Sequence, residues 1–276
     1  MTLHSKIKLI TAIDLLFLFL LCISGSSGGS TGELIYYSAF LFPILIGLYF
    51  IYSPHERENG EKTKIKDIII SDVIPKGKDA ILALPLLFPT VALILLFSFL
   101  TSLLLNAFGF TNDTSFEEPF ITAVFLHALI PAVLEEVLFR FIPLKLLENE
   151  RKTAVLLSSV MFAFAHASLF QIPYAFIAGS LFSLIYFGTG SILIPIAFHF
   201  LNNFLSLLSI YGIEENYLII FISVLSVISL ATVFINKSYY ISKAKCIFSD
   251  EKIKLSYEPI IFVAFSLFLA ISALVF

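Results

Sequence analysis

Residues 119–148 read PFITAVFLHALIPAVLEEVLFRFIPLKLLE, and this stretch decides the fold class. As a helix it is long enough to cross the roughly 30 Å hydrocarbon core of a bilayer, yet Glu135, Glu136 and Arg140 lie in its interior. Similar apolar runs recur along all 276 residues, of which 59% are hydrophobic and 13% charged. The mean hydropathy is +0.99. Soluble globular chains average about half apolar and a quarter charged residues, so the sequence predicts a membrane protein.

The apolar runs predict helices, because backbone groups inside lipid must satisfy their hydrogen bonds internally. A β-barrel would instead show alternating segments of about ten residues, and these runs are continuous. The predicted fold is therefore an all-α, polytopic transmembrane helical bundle of about nine spans, with eight also possible. The predicted spans are 7–23, 34–52, 80–107, 119–148, 153–170, 172–188, 191–211, 216–235 and 258–276.

The distribution of positive charge predicts the topology. All 17 Lys and Arg residues lie at the N-terminus or in the connections 53–79, 140–152 and 236–257. No Lys or Arg lies in the alternate connections 24–33, 108–118, 171 and 212–215, and all of these except residue 171 contain acidic residues. Because cytoplasmic connections of membrane proteins are enriched in Lys and Arg, the N-terminus is predicted to be cytoplasmic.

Three regions follow from the order of the spans: an N-terminal region of three spans, a core of four spans and a C-terminal region of two. Their predicted boundaries are 1–115, 116–211 and 212–276. The first span is expected to be a retained anchor and not a signal peptide, because Asp14 interrupts it and eight spans follow. Cys22 and Cys246 are expected to be unpaired thiols, since they fall on opposite sides of the membrane.

Small residues at intervals of four predict close packing of spans five and six. They are Ser159, Ala163 and Ala167 on one span and Ala175, Gly179 and Ser183 on the next. Pro131 and Pro143 are expected to kink or interrupt span four.

Ionisable residues in a bilayer interior are costly, and each is a candidate functional residue. Glu136 and Arg140 are four residues apart, so they share one helix face and can form an ion pair. Glu135 points about 100° away and has no local partner. Spans four and five form a hairpin that turns near position 150, which puts Glu135 and His166 at the same predicted depth.

The chemistry of these groups suits hydrolysis. A carboxylate in an apolar pocket is a stronger base than one in water and can take a proton from a water molecule. His166 at the same level could hold that water or carry the proton. His199 and Asn203, four residues apart, could donate hydrogen bonds to the oxyanion that forms when water attacks a peptide carbonyl. The isolated His127 is predicted to make a packed interhelical hydrogen bond.

Three short motifs on separate spans together resemble the signature of the CPBP family, the CAAX proteases and bacteriocin-processing enzymes with a domain like that of CAAX prenyl protease 2 and lysostaphin resistance protein A. The motifs are Glu135-Glu136-x-x-x-Arg140, Phe162-x-x-x-His166 and His199-x-x-x-Asn203. The resemblance covers about 119–210. Phe141 departs from it, because family members often have a small residue after the arginine.

The resemblance implies a glutamate-dependent intramembrane endopeptidase whose catalytic core is the region 116–211. It implies that Glu135 activates water together with His166 and that His199 and Asn203 form the oxyanion site. The remaining motif residues would support this arrangement; they are Glu136, Arg140 and Phe162. The expected substrate is a membrane-associated peptide or protein, such as a prenylated C-terminus, a bacteriocin leader or a signalling propeptide.

The sequence leaves several alternatives open. The family resemblance favours a metal-free mechanism, but Glu135, His166 and His199 could also supply the three protein ligands of a catalytic zinc ion. A membrane immunity or peptide-binding protein could keep the same fold without catalysis. A buried carboxylate and two histidines could also relay protons in a transporter, although no internal repeat supports that function. No basic surface stands clear of the membrane, so a nucleic-acid partner is not expected.

Overall fold

The structure, a computed structural model, describes residues 1–26, 29–52, 71–75, 77–111, 118–247, 252–254 and 257–275. Side chains are described in these ranges except at 25–35 and 273–275. All regular elements within these ranges are helices, as predicted. In chain order they are α1 (Leu3–Ser26), α2 (Gly29–Tyr52), α3 (Gly77–Ala83), α4 (Leu87–Ala107), α5 (Phe120–Leu146), α6 (Arg151–Ala165), α7 (Ile172–Thr189), α8 (Leu193–Ile210), α9 (Glu215–Ile235), α10 (Lys237–Ile247) and α11 (Glu258–Val275).

The helices form an all-α, polytopic bundle, which confirms the predicted fold class. Within the described ranges, six helical stretches are long and apolar enough to cross a membrane. Two shorter apolar helical segments, Tyr36–Tyr52 and Glu258–Ser272, lie in the second and the last predicted spans. The total of nine spans stays a prediction.

The prediction for span five was wrong in its length. The predicted run 153–170 is helical only as far as Ala165, and α6 has 15 residues, or about 22 Å. The chain turns at Ala167, whose backbone φ of 46° lies in the left-handed region. This helix is therefore shorter than the roughly 30 Å of a hydrocarbon core.

The central helices pack around α5. The helix α1 pairs with α2 and contacts α11, whereas α7 packs against both α6 and α4, and α9 covers α4. The second half of α5 is the most deeply buried segment; Leu138, Phe139 and Ile142 are each 1% exposed. The outer helices expose large apolar side chains such as Leu104, Val227 and Phe268, as expected for surfaces that face lipid.

The predicted close packing of α6 and α7 is present. A Cβ atom added to Gly179 would lie 2.9 Å from the Cα of Ser159, so only glycine permits this approach of the two backbones. Hydrogen bonds tie the helices together on either side: Ser180 Oγ donates to Ser159 Oγ at 3.1 Å, and the hydroxyls of Ser158 and Ser183 are 3.2 Å apart.

The two cysteines are free, as predicted. Cys246 lies at the end of α10, where Arg151 Nη1 donates a hydrogen bond to its carbonyl oxygen at 3.2 Å. On the same helix, Tyr239 Oη donates to Asp79 Oδ1 at 2.6 Å. These contacts fix α10 against the ends of α3 and α6.

Candidate active site

Two turns of π-helix shape α5 around the paired glutamates. The N–H of Ile130 bonds to the carbonyl of Phe125, and the N–H of Ile142 bonds to that of Val137, both across five residues. Each turn precedes a proline by one residue, Pro131 or Pro143. The predicted interruption of this helix is therefore confirmed, in the form of local widening.

The second proline has an identifiable compensation. Pro143 has no N–H to donate to the carbonyl of Phe139, four residues earlier, and its ring displaces that carbonyl. Ser158 Oγ on α6 donates a hydrogen bond to this carbonyl instead. The seryl hydroxyl thus joins α6 to the widened turn that carries Arg140.

The predicted ion pair between Glu136 and Arg140 is present and fully enclosed. Arg140 Nη1 lies 3.2 Å from Glu136 Oε1, and both side chains are 0% exposed. His199 Nδ1 on α8 makes a hydrogen bond of 2.8 Å to the same oxygen. Since a carboxylate only accepts hydrogen bonds, Nδ1 carries a hydrogen. The Nε2 atom of His199 lies 3.6 Å from Glu135 Oε2.

Aromatic rings enclose the guanidinium of Arg140. Its Cζ atom lies 3.5 Å from the centre of the Phe162 ring and 5.7 Å from that of Phe182. A cation over an aromatic face is stabilised by the ring quadrupole, which partly offsets the loss of water. The motif residue Phe162 therefore has a physical role. Phe182 performs a similar one, although it lies outside the sequence motifs and no local signal marks it.

His166 lies at the C-terminal end of α6. Its Nδ1 atom is 2.8 Å from the carbonyl oxygen of Phe162, and because a carbonyl oxygen only accepts, Nδ1 is the donor. The other nitrogen, Nε2, is then free to accept or carry a proton. The ring lies within electrostatic range of Glu135.

A cavity of about 900 Å³ brings together Glu135, His166, His199 and Asn203, which all line its wall. The Glu135 side chain is 16% exposed, in contrast to the sealed Glu136. The oxygen Oδ1 of Asn203 accepts a hydrogen bond of 3.4 Å from Asn202 Nδ2, so the amide nitrogen of Asn203 remains available as a donor.

The cavity wall also contains residues that the motifs did not indicate. Tyr36 on α2 and Tyr174 on α7 line it, and both phenols lie close enough to Glu135 to interact electrostatically with its carboxylate. His127 lines it as well, with Nε2 3.9 Å from Glu118 Oε1. The sequence pattern of α2 and α7 gave no sign that these tyrosines would face the glutamate.

The zinc-dependent alternative stays a hypothesis. In the described part of the chain, no three His, Cys, Asp or Glu side chains are placed so that they could hold one ion. Of the proposed zinc ligands, His199 donates its Nδ1–H to Glu136 and His166 donates its Nδ1–H to a backbone carbonyl, an orientation that metal-ligating histidines also adopt when they bind through Nε2. Only their Nε2 atoms remain for other partners.

Comparison with known families identifies the same region as the motifs. Residues 117–205 match the family model described as Type II CAAX prenyl endopeptidase Rce1-like. No curated protein and no solved structure matches the chain. The matched residues include all three motifs and fall within the predicted core, whose boundaries at 116 and 211 stay a prediction. The resemblance to the CPBP family is therefore confirmed over residues 117–205, which are similar to the Rce1-like CAAX endopeptidase family.

Proposed function

We propose that this protein is an intramembrane endopeptidase that hydrolyses a peptide bond in a membrane-associated peptide or protein. The observation that supports this function is one cavity wall with a partly exposed carboxylate, two imidazoles and a carboxamide, from Glu135, His166, His199 and Asn203. Those are the groups that general-base attack by water and stabilisation of an oxyanion require.

In the proposed reaction, a water molecule between Glu135 and His166 gives a proton to this pair while its oxygen bonds to the peptide carbonyl carbon. The carbonyl oxygen, on which negative charge develops, accepts a hydrogen bond from the amide nitrogen of Asn203. It accepts a second from His199 when Nε2 carries a hydrogen, since Nδ1 is engaged by Glu136. The C–N bond then breaks, and the proton taken from water passes to the leaving amine.

Glu136 and Arg140 act by holding His199. The ion pair is enclosed, and Glu136 Oε1 contacts both Arg140 Nη1 and His199 Nδ1. A ring held in this way keeps Nε2 directed towards Glu135, which is the kind of support that makes catalytic hydrogen bonds effective. Glu136 is thus proposed as a positioning residue that acts through His199, and Phe162 supports Arg140.

A comparison of purified variants tests the proposal. Wild type, Glu135→Gln and the control Glu148→Gln, whose side chain is 56% exposed at the α5–α6 turn, would be reconstituted and incubated with a peptide mixture. We expect wild type and Glu148→Gln to generate the same new termini by mass spectrometry and Glu135→Gln to generate none. Retention of peptides without cleavage by all three proteins would instead support the peptide-binding or immunity function.

A further inference from the structure

A second cavity lies along the last turns of α7, away from Glu135. It has a volume of about 230 Å³, and none of its described lining residues also lines the Glu135 cavity. Three helical segments each turn one face towards it, because residues three or four positions apart lie on the same side of a helix. The apolar and small residues of its wall are Leu181, Leu184, Ile185 and Gly188 on α7, Tyr240, Ala244 and Ile247 on α10, and Leu82, Ala83 and Leu86 between α3 and α4.

The charged and phenolic groups of this cavity bond to one another and leave its wall apolar. Asp79 Oδ1 accepts a hydrogen bond from Tyr239 Oη at 2.6 Å, and Asp79 Oδ2 accepts one from Lys243 Nζ at 3.1 Å. Tyr240 Oη donates to the carbonyl oxygen of Leu82 at 2.6 Å. An apolar wall offers water too few hydrogen-bond partners, so the space suits a hydrocarbon group. Its volume is below the roughly 300 Å³ of the smallest drug-sized pockets, which favours a single chain over a bulkier ligand.

An apolar groove adjoins this cavity at Tyr240, which lines both. The groove lies where α9 meets α10, and its wall includes Phe234, Ile235 and Ile241. These three side chains are 71%, 79% and 51% exposed, as expected for a surface that faces lipid. A cavity and a groove on either side of one residue match the two hydrocarbon chains of a phospholipid.

The charges around the two apolar sites are mainly positive. Helix α10 contains three lysines and no acidic residue; Lys237 lines the groove and Lys243 lines the cavity. They lie three residues before and three residues after Tyr240, so the three side chains form one stripe on the helix surface. Asp79 is the only acidic residue among the described residues that line either site, and Lys243 pairs with it. Such a surface attracts the phosphate of an anionic lipid.

We propose that these helices form a binding site for one anionic phospholipid at the Lys- and Arg-rich end of the bundle, separate from the peptidase site. One acyl chain occupies the cavity beside Gly188, and the other follows the groove along Phe234. The phosphate lies over Tyr240, where Lys237 and Lys243 flank it. A lipid with a choline headgroup brings its own positive charge to the lysines and binds more weakly. The site does not depend on the proposed peptidase function.

Two substitutions of Gly188 test the cavity. A Cβ atom added to this glycine meets no atom within 4 Å, so alanine takes little of the space whereas leucine fills it. The full chain in detergent would be titrated with phosphatidylglycerol that carries one palmitoyl and one oleoyl chain, and binding would be followed by native mass spectrometry. We expect wild type and Gly188→Ala to bind one lipid molecule with the same Kd, and Gly188→Leu to bind about tenfold more weakly. Equal Kd values for all three proteins would overturn the proposed site.

The headgroup preference needs a second lipid, phosphatidylcholine with the same two chains. We expect wild type and the control Lys8→Gln, an exposed lysine on α1, to bind phosphatidylglycerol about tenfold more tightly than phosphatidylcholine. The double variant Lys237→Gln with Lys243→Gln should lose this preference. If that variant does not fold, Lys237→Gln alone leaves the pair of Lys243 with Asp79 in place and should show a reduced preference. Equal binding of the two lipids by wild type, or a preference that the lysine variants keep in full, would overturn the recognition of an anionic lipid.

Discussion

Arg140 is fully enclosed, and three different partners surround it. Glu136 neutralises it, and the centre of the Phe162 ring lies 3.5 Å from its Cζ atom. Gly179 lies beside Nη2, because a Cβ atom added to this glycine would be 3.4 Å from Nη2. Removal of one member of a buried ion pair strands the other charge, which costs more than the pair itself contributes. The stability of the site therefore depends on this residue.

Arg140→Ala should lower the free energy of unfolding by about 3–5 kcal/mol, because it leaves the Glu136 carboxylate buried and unpaired. Thermal unfolding in detergent, with activity measured in parallel, checks this expectation. The double variant Glu136→Gln with Arg140→Met removes both charges and should unfold closer to wild type. Normal unfolding of Arg140→Ala with activity lost would mean that Arg140 acts on the substrate directly.

Glu135 and His166 are predicted to act as one unit. Glu135→Gln and His166→Ala should each lower kcat by several orders of magnitude, and the double variant only slightly more, because groups that act together are not additive. Asn203→Ala should lower kcat about a hundred- to a thousandfold, as for one oxyanion donor. Single-turnover kinetics of the purified variants would show this. Losses that multiply across Glu135 and His166 would mean that the two residues do not share a water molecule.

At the scale of helices, the sequence predicted those features that depend on local chemistry. The pairing of Glu136 with Arg140 followed from their spacing, and the interruption of α5 followed from its prolines. The early end of α6 could not be predicted in this way, because the left-handed residue at the turn is Ala167 and not the glycine that usually marks such a turn. The aromatic contact from Phe182 depends on how α7 docks, which no local pattern encodes.

Two glycines of α7 provide a matched test of the α6–α7 contact. Gly179→Ala places a methyl group 2.9 Å from a backbone atom and should destabilise the protein by about 1–3 kcal/mol through overpacking. Gly188 has no atom within 4 Å of the added Cβ, so Gly188→Ala should be neutral or stabilise by about 0.5–1 kcal/mol. Unfolding midpoints of the two variants give the comparison. Equal midpoints would show that this approach of the backbones does not hold the helices together.

For the whole molecule, the predicted all-α bundle is confirmed, while the number of spans and their orientation stay predictions. Composition predicts burial in lipid because it is a property of the entire chain, and the Lys and Arg distribution predicts sidedness for the same reason. The cavity and its opening depend on how helices distant in sequence meet. Tyr36 and Tyr174 therefore became candidates only in the folded protein.

Metal removal separates the two hydrolytic mechanisms. Because the described side chains are not arranged to hold an ion, we expect dialysis against a strong chelator to leave peptide cleavage unchanged. Metal content measured by mass spectrometry on the same samples is the control. Loss of activity that zinc restores would support the zinc-dependent form, with Glu135, His166 and His199 as its ligands.

The central claim is that Glu135 directs water onto a peptide bond of a membrane substrate. The most direct measurement is mass spectrometry of small membrane peptides from cells with wild-type protein or Glu135→Gln, with the membranes incubated in ¹⁸O-labelled water. We predict a set of peptides that is present only with the wild type and carries ¹⁸O in the newly formed C-terminal carboxylates. The same labelled peptides from both proteins, at equal protein levels, would contradict the account.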